Sequence, residues 1–109
     1  MRQDIAVSPS EPPAAHALGA ASAVCVRFWA SARAAAGVPE VSVPVEGATG
    51  LDAVVGLVLD ALPDRPDLAR VLGVCSVLVG DRPAGSAERA AVRVDPGATV
   101  EFLPPFAGG

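Results

Sequence analysis

The chain has 109 residues and eight basic side chains, all of them arginine, against twelve acidic ones, a formal charge of −4. Hydrophobic residues make up 51% but aromatics only 4%, so the core has to be built from Ala, Val and Leu, and the length suits one domain. Basic residues are too few and too scattered for a nucleic-acid or anionic-membrane surface, and no apolar run approaches the roughly 20 residues that cross a bilayer.

Cys25 and Cys75 stand far apart with no C-x-x-C and no partnering histidine pattern, which argues against a structural zinc site. Two thiols cannot hold a four-thiolate iron–sulfur cluster. Each cysteine sits in a Val-rich run, where it behaves as a small hydrophobe. His16 has no ligand set around it.

Residues 1–23 are rich in Pro, Ser and Ala and show no period of 2 or 3.6. Such a stretch buries too little apolar surface to offset its ordering entropy, and we expect a disordered extension. Ala21-Ser22-Ala23 resembles a signal-peptidase site, but Asp4 and Glu11 lie upstream and no apolar run precedes it, so the expectation is a cytoplasmic protein.

Val24 to Ala30 alternates as a strand, with Val24, Val26 and Phe28 inward and Cys25, Arg27 and Trp29 on the other face. Ser31 to Ala36 has the composition of a short helix ended by Gly37 and Pro39. Val41 to Val45 alternates again, and Pro44 marks it as an edge strand. Thr49 and Asp52 then form a helix start signal, with Thr49 expected as the cap. Leu51, Val54, Val55, Val58, Leu59 and Leu62 make one apolar stripe ending at Pro63, each worth roughly 1.5–3 kcal/mol on burial before entropy is charged. Asp67 to Leu72 reads as a short helix stopped by Gly73. Val74 to Val79 is a third strand closed by Gly80-Asp81-Arg82-Pro83, and Ala91 to Val94 is a short extended piece. Asp95-Pro96-Gly97 is a turn before the last strand, Thr99 to Leu103. Strands on one face of one main helix make an α+β two-layer domain, and the order and size fit a β-grasp with a mixed sheet. The expected boundaries are 1–23 for the extension, 24–103 for the domain and 104–109 for a flexible tail.

The tail, Pro104-Pro105-Phe106-Ala107-Gly108-Gly109, carries most of the functional information. Two prolines favour an extended stem that projects from the sheet. Phe106 is an aromatic outside the core, suited to a partner's pocket. Gly108 and Gly109 lack Cβ atoms, so this end fits a narrow channel close to another backbone. The chemical group at its tip is the α-carboxylate of Gly109, which ATP can convert into an acyl-adenylate open to attack by sulfur or an amine. No acid–base pair or nucleophile–base constellation occurs elsewhere in the chain.

With its Phe28-Trp29-Ala30-Ser31-Ala32-Arg33-Ala34-Ala35-Ala36-Gly37 stretch, its helix after Thr49 and its Val100 to Gly109 ending, the region from Val24 onward resembles the MoaD/ThiS family of ubiquitin-like sulfur carriers. The double proline before the glycines resembles the MoaD branch, small subunits of molybdopterin synthase. The resemblance implies that a MoeB-like, E1-related enzyme uses ATP to adenylate Gly109, and that a sulfurtransferase donor converts it to a thiocarboxylate. The tail would then enter a MoaE-like large subunit and supply sulfur for molybdopterin. It implies a carrier without enzymatic activity of its own, with no bound cofactor or metal. Gly108 would give clearance, while Pro104, Pro105, Phe106 and Ala107 would line the partner's groove. Trp29 and Leu103 are either an apolar patch beside the tail or ordinary packing residues. Arg33 and Gly37 match the family pattern, as surface charge and structural turn. The same carrier chemistry could serve thiazole or cysteine biosynthesis, and a β-grasp module whose tail only docks is a third alternative. With no lysine in the chain, polymers joined through its own side chains are excluded.

Overall fold

The computed structural model describes residues 22–85 and 87–105. Alternation of apolar residues produces β1 (Ala23–Phe28), in which Val24, Val26 and Phe28 are buried while Arg27 faces solvent. A seven-residue helix, α1 (Ala30–Ala36), joins it to β2 (Glu40–Pro44). There follow β3 (Thr49–Gly50), α2 (Leu51–Ala61), α3 (Leu68–Val74), β4 (Ser76–Val79), β5 (Arg82–Pro83), a 3₁₀ turn over Arg89–Ala91, β6 (Arg93–Val94) and β7 (Thr99–Leu103).

Five strands form one mixed sheet in the order β2-β1-β7-β4-β5, and β3 pairs with β6 in a small second sheet. β1 and β7 lie parallel, with Val26 beside Val100 and Phe28 beside Phe102. β2 runs antiparallel to β1, and β4 antiparallel to β7. The inward faces of β1 and β7 meet Leu51, Val54 and Val58 of α2 and Leu68, Val71 and Leu72 of α3 in one apolar core, with no buried charged residue among the described residues. The other face of the sheet carries Cys25, Arg27, Glu101 and Leu103 and is exposed or half-exposed. This is the expected α+β, β-grasp arrangement. Pro44 lies in an edge strand, where a missing N–H interrupts no ladder.

Several local expectations need correction. Thr49 does not cap α2. It pairs with Val94 in β3, Gly50 takes the N-cap position without a side-chain bond, and the amide of Leu51 donates to the Val92 carbonyl at 2.9 Å. A backbone acceptor from a distant segment thus replaces the local hydroxyl. Only a residue without a Cβ fits comfortably at Gly50, since a Cβ would lie 2.6 Å from Asp52 Oδ1 and 3.0 Å from the Ala90 carbonyl oxygen. Gly73 does not stop the next helix, which runs on to Val74. The strand expected from Val74 begins at Ser76, and the piece from Ala91 starts within a 3₁₀ turn. Arg82-Pro83, read as a turn, forms β5. The ordered domain also begins before Val24, because Ala23 is in β1 and Val45 N–H donates to the Ser22 carbonyl at 2.7 Å. The expectation of disorder over residues 1–23 otherwise lies outside the described residues.

Gly37 ends α1 as expected, at φ 79°, donating its N–H to the Arg33 carbonyl at 2.9 Å. The Arg65 guanidinium lies against its bare Cα, so a Cβ would sit 2.5 Å from the guanidinium carbon. Gly37→Ala should therefore lower stability by about 1–2 kcal/mol from backbone conformation alone, read as a lower urea midpoint. Within α2, Leu51 is completely buried whereas Leu59 is only partly so. Leu51→Ala should cost about 2–5 kcal/mol, and Leu59→Ala clearly less in the same urea titration.

Candidate functional site at the root of the tail

The tail leaves the domain from β7, the middle strand of the five. Alternation along β7 buries Val100 and Phe102 and leaves Glu101 and Leu103 on the opposite face. The neighbouring β1 presents Arg27 beside Glu101 in the parallel register. Trp29 follows in extended conformation, φ −120°, ψ 151°, and comes level with Leu103. Two side chains far apart in sequence thus share the open face at the base of the tail. Trp29 is 42% exposed and Leu103 half-buried. Neither is a core residue.

The strand end is held from both sides. Trp29 donates its backbone N–H to the Phe102 carbonyl at 3.2 Å and its indole Nε1–H to Glu101 Oε1 at 2.9 Å. The Arg27 guanidinium stacks over the indole at 5.3 Å from the ring centroid and also approaches Glu40 Oε1 at 3.6 Å. Beneath the sheet, the Phe28 and Phe102 rings stack with centroids 6.3 Å apart. Arg89 lies 5.7 Å from the Phe102 centroid and donates to the Cys75 carbonyl at 3.1 Å. Leu103 also borders a crevice of about 340 Å³ with Leu78, Pro83, Ser76 and Gly85. Of the tail itself, Pro104 is half-buried and Pro105 exposed. The expectations for Phe106, Ala107, Gly108 and Gly109 lie outside the described residues.

Reading the sequence alone did not single out Arg27, Glu101, Leu78, Pro83 or Arg89 as neighbours of this site. Alternation along β1 already sets Arg27 on the face of Trp29, whereas Glu101 joins them only once β1 and β7 are known to pair in parallel. Nothing local marks Arg89.

The thiols are poorly placed as nucleophiles. Cys25 and Cys75 are both free. Burial raises the pKa of Cys25, helped by Glu40 and opposed by Arg27. Burial also raises that of Cys75, against the opposing charge of Arg89. Both stay protonated at neutral pH, and a thiol is a far weaker nucleophile than a thiolate. Among the described residues, no three His, Cys, Asp or Glu side chains converge as a metal site, and no helix is long and apolar enough to cross a membrane.

No protein-family model matches the chain, and no curated protein matches it either. Solved structures do. The small archaeal modifier protein 1 of Haloferax volcanii is 21% identical with a TM-score of 0.65, over 80% of this chain and 99% of that one. A protein described as a putative molybdopterin converting factor subunit 1, from Pyrococcus furiosus, is 17% identical with a TM-score of 0.60, over 78% and 99%. Subunit 1 or 2 in a complex of the two molybdopterin-converting factor subunits from Helicobacter pylori is 21% identical with a TM-score of 0.50, over 80% and 99%. The chain shares its fold with these proteins. At these identities the likeness establishes the β-grasp fold, and chemistry has to come from the residues of this chain.

The indole bond to Glu101 offers a direct check on the site. Glu101→Leu removes the acceptor, and because water reaches both partners the loss should be no more than about 1 kcal/mol. With one Trp and no Tyr in the chain, the intrinsic fluorescence reports on Trp29, and its emission should shift in the folded variant while urea titration reads the stability.

Proposed function

We propose that this chain is a sulfur carrier with Gly109 as its reactive residue, most simply the small subunit of a molybdopterin-synthase type complex. The observation that carries the reading is the sequence Leu103-Pro104-Pro105-Phe106-Ala107-Gly108-Gly109 following directly on the central strand of a β-grasp sheet. A MoeB-like enzyme would join the Gly109 carboxylate to AMP, releasing pyrophosphate from ATP. A hydrosulfide equivalent from a sulfurtransferase would then displace AMP, leaving a thiocarboxylate. Transfer of that sulfur to an acceptor, followed by addition of water, returns the carboxylate.

The rest of the site suits handling by partners. Pro104 and Pro105 stiffen the stem, and Phe106 and Ala107 with Leu103 and Trp29 would face the groove of a MoaE-like large subunit. The Helicobacter pylori neighbour comes from a two-subunit complex, which supports such a partner here. Thiazole or cysteine biosynthesis would use the same chemistry with another acceptor.

A second reading is favoured by the word modifier in the name of the Haloferax volcanii neighbour. The adenylated Gly109 would then acylate a lysine amine on another protein, with AMP leaving. Because this chain has no lysine, its own side chains would not be the acceptors.

Intact mass after incubation with a MoeB-like enzyme, ATP and a sulfur donor tests both. A gain equal to exchange of one oxygen for sulfur, mapped to Gly109 and absent in a variant lacking Gly108 and Gly109, is the expected result. An isopeptide bond to a lysine of an added protein would select the modifier reading. No adduct, with an enzyme active on its own carrier, would overturn both.

A further inference from the structure

The five-stranded sheet ends in two outer strands, β2 and β5. An open edge presents unpaired N–H and C=O groups to any extended segment, and the same edge of a second copy is a ready match. β2 is otherwise well suited to such pairing. Its residues alternate as Glu40-Val41-Ser42-Val43-Pro44, with Val43 buried and Glu40, Ser42 and Pro44 exposed.

We propose that Pro44 and Pro83 close the two edges of the sheet to a second copy of this chain. The register fixes the direction of each backbone group. Val24 lies opposite Val43, and Val26 opposite Val41. In the same register Val45 N–H donates to the Ser22 carbonyl at 2.7 Å, and Phe28 N–H to the Pro39 carbonyl at 2.9 Å. Hydrogen-bonded and non-bonded pairs alternate along an antiparallel ladder. Val41 and Val43 therefore turn their polar groups towards β1, while Glu40, Ser42 and Pro44 turn theirs outward. The proline nitrogen thus occupies a place where an N–H would face solvent. β5 repeats the arrangement at the other edge. Ala84 N–H donates to the Val77 carbonyl at 2.8 Å, and Pro83 is the next residue, opposite Leu78. Its backbone groups point away from β4, and it too has no donor to offer.

A two-fold pairing of β2 edges centred on Ser42 shows what the proline prevents. Val41 would lie beside Val43 of the second copy, and Glu40 would face Pro44, so no like charges would meet. The missing donor at residue 44 is the obstacle. Each Glu40 carbonyl would meet a proline ring in place of an N–H, losing water without gaining a bond. Sliding the register either sets Pro44 against Ser42 or avoids it by shortening the overlap.

The test is sedimentation velocity on the full chain over a wide range of concentration, comparing the unaltered protein with Pro44→Ala, Pro44→Val and the double variant Pro44→Val/Pro83→Val. Alanine restores the N–H without adding apolar surface, and both prolines are exposed, so the urea midpoint should show each variant folded. The expected result is a self-association constant at least about tenfold higher in Pro44→Val than in the unaltered chain. Pro44→Ala should move in the same direction, and amide exchange at Glu40 and Ser42 should slow as the variants associate. Equal association constants across the folded chains would overturn the proposal. So would association that leaves Glu40 and Ser42 exchanging freely, or an unaltered chain that already protects them by pairing.

Discussion

The parallel contact between β1 and β7 is the constraint on which the molecule depends. It joins the first and last strands of the domain and sets Val24, Val26 and Phe28 beside Val100 and Phe102 as one apolar surface. On one side β2 can attach only to β1, and on the other β4 and β5 attach only through β7. Weakening this one pairing would divide the sheet into a two-stranded piece, β2-β1, and a three-stranded one, β7-β4-β5, neither wide enough to cover α2 and α3. A two-stranded piece is marginal at best in water.

The same contact creates the functional surface. Parallel register puts Arg27 beside Glu101 and brings Trp29 level with Leu103, so the base of the tail acquires an aromatic ring, a cation and a carboxylate from two remote segments. None of these groups has the geometry of a catalytic pair, and burial pushes the pKa of both cysteines up, away from the thiolate form. The domain's contribution is mechanical and steric: it fixes where the stem begins and which side of it is apolar. That division of labour fits a carrier whose bond-making steps belong to its partners.

Much of this was legible in the residues. Alternation predicts β7 at its observed bounds, and a terminal glycine predicts α1 to within one residue, because both are local signals. The α2 stripe was also correct in its buried positions, Leu51, Val54 and Val58. What failed was decided by distant atoms. Thr49 has an ordinary capping side chain, but a carbonyl from Val92 met the helix first and Thr49 was drawn into a strand with Val94. Gly73 takes no left-handed conformation, and burial of Leu68, Val71 and Leu72 carries the helix through it at the modest propensity cost of a glycine. In the candidate site, Trp29 and Leu103 were visible as apolar residues at strand ends. Arg27 shares the face of Trp29 by alternation alone, but Glu101 is invisible there, since a parallel pairing across seventy-odd residues leaves no trace in either segment alone.

The order of synthesis gives the central position of β7 a further meaning. Strands that neighbour each other in space here come from opposite ends of the domain, and such non-local pairing forms late and slowly. On the ribosome the sheet cannot close until Thr99 to Leu103 has emerged, because β4 and β5 have nothing to attach to before then. A chain cut short before Thr99 would lack its middle strand, expose the apolar faces of β1 and α2, and be open to proteolysis. A folded domain is therefore a chain translated at least to the base of its tail.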